Sequence, residues 1–86
     1  MNNNADIVGK MIKRNKKGKI RKVVTVFQND LGWLKIRTDQ GVETWLDIEE
    51  ALNGKVERWL AQGYEWEIPL RLKSKVVGRF QTTYTT

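Results

Sequence analysis

A chain of 86 residues with 16 lysines and arginines against 10 acids has the length of one small domain and a net charge of +6. The absence of cysteine excludes disulfides and thiolate metal sites, and the absence of histidine removes the commonest metal ligand, the usual general base at neutral pH and every Ser/His or Cys/His nucleophile pair. A fold of this size hides only roughly 60 to 65% of the surface that its unfolded chain exposes, so its stability is expected to be marginal.

Met1 to Asp6 is polar, and no apolar stretch approaches the length of an export signal or a membrane span. The expectation is a single domain over residues 1–86, cytoplasmic, with 1–6 and 81–86 as flexible tails. Ile7 to Lys13 and Ile20 to Gln28 read as two strands, the second carrying the run Val23, Val24, Thr25, Val26, Phe27. Between them Asn15-Lys16-Lys17-Gly18 has turn composition. Asn29-Asp30 with Gly32 marks the next turn, and Trp33 to Thr38 follows as a strand in which Leu34 and Ile36 alternate with Trp33, Lys35 and Arg37. Asp39-Gln40-Gly41 is a further turn, and Val42 to Leu46 pairs back.

At Asp47 the apolar period changes from two to about 3.6, with Ile48, Ala51, Leu52, Val56, Trp59 and Leu60 forming one stripe. Asp47 followed by Glu50 fits a capping box, and Gly63 is placed as a left-handed cap at the far end. Asn53-Gly54 opposes a helix, since glycine in a helix interior costs about 1 kcal/mol against alanine. One continuous helix over 47–62 is preferred because Val56, Trp59 and Leu60 keep the stripe in phase; a break at Asn53-Gly54 is the alternative. Tyr64 to Ile68, ended by Pro69, and Leu70 to Phe80 complete the set as strands.

Charge is unevenly distributed along the chain. Lys10, Lys13, Arg14, Lys16, Lys17, Lys19, Arg21 and Lys22 fall in one segment that contains no acid. Asp39, Glu43, Asp47, Glu49, Glu50, Glu57, Glu65 and Glu67 follow, against only Lys55 and Arg58, and Arg71, Lys73, Lys75 and Arg79 make the end basic again. Eight like charges on a hairpin are what a phosphate backbone binds through counterion release; the plainer reading is a solvated edge. Trp33 and Trp45 fall opposite the aliphatic residues of their strands and form a candidate aromatic contact surface, whereas Trp59 lies on the helical stripe and reads as core. Asp47, Glu49 and Glu50 read as capping and first-turn acids, not as metal ligands. No residue is assigned a catalytic role, and no cofactor or metal is expected.

The basic first hairpin, the meander bounded by Gly18, Gly32 and Gly41, and the aromatics beside its turns resemble the SH3-like small barrels of the KOW, Tudor and PWWP kind over about Ile7 to Leu46. A second resemblance, over about Lys19 to Gln62, is to the arm-binding domains of phage integrases, a three-stranded sheet with a helix. The expected fold is α+β: a strongly bent antiparallel sheet or small open SH3-like barrel, with one helix after the fourth strand. The expected role is non-catalytic binding of DNA or RNA by Lys10, Lys13, Arg14, Lys16, Lys17, Lys19, Arg21 and Lys22, with Arg71, Lys73 and Lys75 on the same face. The rival is a protein-binding adaptor or inhibitor docking on an acidic protein surface. No membrane partner is expected, and oligomeric state is not legible.

Overall fold

The computed structural model describes residues 5–73. Its strands are β1 (Asp6–Arg14), β2 (Ile20–Gln28), β3 (Leu34–Thr38), β4 (Glu43–Leu46) and β5 (Glu65–Ile68). They form one antiparallel sheet in the order β4-β3-β2-β1-β5, which leaves β4 and β5 as its edges, so the sheet is open. β1 begins at Asp6, within the segment expected as a tail.

The three hairpin loops share one construction that composition alone had not unified. In each, the first residue donates its N–H to the carbonyl four residues on: Asn15 to Lys19 at 2.8 Å, Asn29 to Trp33 at 3.0 Å and Thr38 to Val42 at 2.9 Å. In each, a glycine three residues on, Gly18, Gly32 or Gly41, takes positive φ and donates back to the first residue's carbonyl. This is the three-residue hairpin loop in which a turn is followed by a left-handed residue. The side chain of the first residue locks the loop: Asn15 Oδ1 accepts from the N–H groups of Lys17 and Lys19, and Asn29 Oδ1 from those of Leu31 and Trp33. Thr38 Oγ1 does the same for the Val42 N–H.

The core lies on one face of the sheet, where Val8, Met11, Val24, Val26, Leu34 and Ile36 meet Ile48, Ala51 and Val56. Each large side chain fully buried here contributes about 1.5 to 3 kcal/mol. The opposing layer is a single helical run: α1 (Ile48–Glu50), a π-helical segment (Ala51–Val56) and α2 (Glu57–Ala61). It is continuous through Asn53-Gly54, and the wider turn falls on those two residues. Two expectations are corrected here. A turn closed at i→i+5 brings Ala51 and Val56, five apart, to the same buried side, and it rotates Leu60 out of the expected stripe to 39% exposure. Of the capping box only one half forms: Asp47 Oδ1 accepts from the Glu50 N–H at 2.7 Å, and Glu50 makes no return bond.

Gly9 in β1 lies at a register shift of the β1–β2 pairing. A Cβ there would stand 3.1 Å from both the Trp66 ring and the Leu70 side chain, so the absence of a side chain lets them pack closely against β1. Leu70 to Lys73, expected as the start of a strand, runs without strand assignment but is tied down: the Arg71 N–H donates to the Val8 carbonyl at 2.8 Å, and the Lys73 N–H to Oε1 of the fully buried Gln28. The rest of the strand expected to reach Phe80 lies outside the described residues.

Candidate nucleic-acid interface

The tip of the β1–β2 hairpin is closely hydrogen-bonded and carries cations. Besides the Asn15 lock, Arg14 Nη1 donates to the Gly18 carbonyl at 2.9 Å, so the loop backbone is held from both sides. Lys16, Lys17, Lys19, Arg21 and Lys22 are exposed, and among the described residues no acid pairs with any of them. Among the described residues no ion pair offsets the repulsion within this group, and polyanion binding would relieve it.

The remaining expected contacts are divided. Lys10 Nζ pairs with Glu67 at 3.0 Å and Arg14 Nε with Glu65 at 3.1 Å, because β1 has β5 as its second neighbour. Two members of the acidic stretch, Glu65 and Glu67, thus run alongside β1 and neutralise its base. Lys73 Nζ bridges Asp6 at 2.9 Å and Asp30 at 3.2 Å, and these hydrogen bonds, that to Asp6 foremost, hold its ammonium above the ordinary lysine value. Arg71 is exposed beside β1. Lys75 lies outside the described residues.

Trp45 is 40% exposed and shares its ring with a cation. Lys35 reaches over the Trp45 ring at 5.6 Å and the Phe27 ring at 4.8 Å, and Arg37 covers Phe27 at 4.9 Å. The register makes this unavoidable, since Lys35 is the cross-strand partner of Phe27 on one side and of Trp45 on the other. Trp33 precedes β3 and is half-buried at the second loop.

A different aromatic pair was missed. Trp59, read as core, packs on it only in part, and its ring stands 6.1 Å from that of Tyr64 at a tilt of 47°. The two rings line a cleft of about 270 Å³ together with Lys22, Val24, Thr38, Asp39, Gln40 and Val42. Lys13, the direct cross-strand partner of Lys22, reaches over the Tyr64 ring at 5.8 Å. Burial, and secondarily the Asp39 carboxylate, raise the Tyr64 phenol above its ordinary pKa, so it remains a hydrogen-bond donor. The one sequence signal was the closeness of Trp59 and Tyr64 on either side of Gly63, whose positive φ folds the chain back between them.

No family model, curated protein or solved structure matches this chain at a significant level. Among the described residues no cluster of three or more acids is arranged to hold a metal, and no helix is long and apolar enough to cross a membrane.

Proposed function

We propose that this domain is a non-catalytic nucleic-acid-binding module that places the β1–β2 hairpin tip on the phosphate backbone of DNA or RNA, in a cytoplasmic setting. The observation that carries the reading is the tip, on which no acid pairs with a cation among the described residues: Lys16, Lys17 and Lys19 are exposed at a loop whose backbone is held by hydrogen bonds, and Arg21 and Lys22 follow exposed at the start of β2, so ordering the loop on a ligand costs little entropy. Lys10 and Arg14, paired with β5, fix the hairpin's base and contribute little net attraction. The strand order, with β5 beside β1, supports reading the sheet as an open SH3-like barrel.

The test is a fluorescence-anisotropy titration of short nucleic acids at two salt concentrations, comparing the parent with a variant in which Lys16, Lys17 and Lys19 are glutamine. The parent's affinity falls steeply with salt. The variant binds unrelated sequences more weakly by a similar factor, and its logarithmic salt slope flattens by about 0.9 for each duplex phosphate contact removed. Equal affinity and slope for the two proteins would remove the tip as the site. Absence of salt-sensitive binding by the parent would leave docking on an acidic protein surface as the function of these lysines.

A further inference from the structure

The cleft between the helical segment and the β3–β4 loop is more than a packing fault. Its walls are two tilted aromatic rings and Val42, which is 57% exposed, and its rim carries Lys22 with Lys13 beside it. Lys13 and Lys22 are strand partners next to the Arg14–Ile20 pair that adjoins the tip, so two further cations stand between the tip and the mouth of the cleft. Opposite them stands one carboxylate, Asp39, with the Gln40 amide next to it.

These parts match one class of ligand. A base stacks on an aromatic face with a gain that does not depend on its identity, while a cationic groove tracks the backbone to which it is attached. A phosphate between Lys13 and Lys22 would convert a repulsive pair into two charge-assisted contacts. A carboxylate at the rim repels phosphate from the cleft itself and accepts from an exocyclic amino group, as acids do toward cytosine N4. At about 270 Å³ the cleft falls below the size of pockets that enclose drug-sized ligands, which fits one flat ring and not an extended one.

We propose that the cleft is a nucleobase subsite: an unpaired base of a single strand stacks against Tyr64 and Trp59, its phosphate lies at Lys13 and Lys22, and Asp39 favours bases that present an amino group. This rests on the nucleic-acid reading of the hairpin and narrows it to single strands, because a paired base cannot leave its stack without an unpairing cost.

The experiment compares fluorescein-labelled oligo-dC, oligo-dT and a duplex of matched phosphate count by anisotropy, for the parent, Tyr64→Leu and Asp39→Ala. The parent binds oligo-dC more tightly than oligo-dT, and both more tightly than duplex. Tyr64→Leu, which keeps apolar bulk but loses the ring, weakens single-strand binding by roughly 5- to 150-fold, the equivalent of stacking one base, and leaves duplex binding unchanged. Asp39→Ala, on the exposed loop, abolishes the preference for oligo-dC; it decides the question if Tyr64→Leu does not fold. Equal binding of single strand and duplex by the parent, or equal loss on both in a folded Tyr64→Leu, overturns the subsite while leaving the hairpin reading intact. If the parent binds no nucleic acid at all, the hairpin reading fails and the subsite falls with it.

Discussion

Lys13 and Lys22 face each other directly across the β1–β2 hairpin, two residues beyond the buried pair Met11 and Val24 on the same side of the sheet. Like charges in that position destabilise a sheet, and an opposite pair contributes about 0.2 to 1 kcal/mol. Lys22→Glu is therefore expected to raise the denaturation midpoint slightly while weakening nucleic-acid binding. A gain in stability paired with a loss of binding is the signature of a charge retained for function. Loss of stability with binding intact would assign the pair a structural role.

Much of the sheet was legible because period-two alternation and the glycines at 18, 32 and 41 are local signals; β2 falls on its expected bounds, β1 is one residue longer at each end, and β3 and β4 each start one residue later. The charged groups were not. Whether Arg14 is free or paired is decided by Glu65, 51 residues away, through the β1–β5 neighbourhood, and no local pattern encodes which strand lies beside β1. The cleft escaped for a related reason. Trp59 satisfies the helical stripe, yet the π-helical segment turns that stripe, so a residue expected inside stands at the edge with one part of its ring toward Tyr64.

At Gly9 a single added methyl group should be costly through packing alone. Its Cβ would enter space held by Trp66, by the Leu70 side chain and by the Leu70 Cα at 3.2 Å, and a backbone atom cannot swing away. Gly9→Ala is expected to cost about 1 to 3 kcal/mol, the usual range for overpacking. Urea denaturation reads it directly. A change below about 0.5 kcal/mol, the range of ordinary surface substitutions, would mean that the Leu70 segment is not docked against β1.

Gly54 makes the opposite case. Its φ lies outside the left-handed region, and a Cβ would meet nothing within 4 Å beyond the helix's own backbone. Since the residue lies inside a continuous helical run, Gly54→Ala should stabilise by about 0.5 to 1 kcal/mol, through helix propensity and a less flexible unfolded chain. A destabilising result would show that glycine is needed to hold the wider π-helical turn in place of an ordinary α-helical one.

The outer face of the meander gives a pH dependence with a definite sign. Glu43 Oε2 accepts from Arg37 Nε at 2.6 Å, and Lys35 Nζ lies 3.7 Å from the same oxygen while covering Phe27 and Trp45. The Arg37 hydrogen bond is the main reason that the Glu43 carboxyl titrates below its ordinary value; desolvation opposes it, and the Lys35 charge assists. A group whose pKa is lowered by folding adds stability that is complete above its unfolded value, about 4.3 for glutamate, and is lost as pH falls through the lowered folded value. Glu43→Gln should therefore reduce the urea midpoint near neutrality, and the gap from the parent should close as the pH is taken down toward about 3, below the ordinary carboxylate range. Because the pair is exposed, salt should narrow the same gap at neutral pH. A gap constant across pH and salt would show that Glu43 acts by packing on β4 and not through its charge.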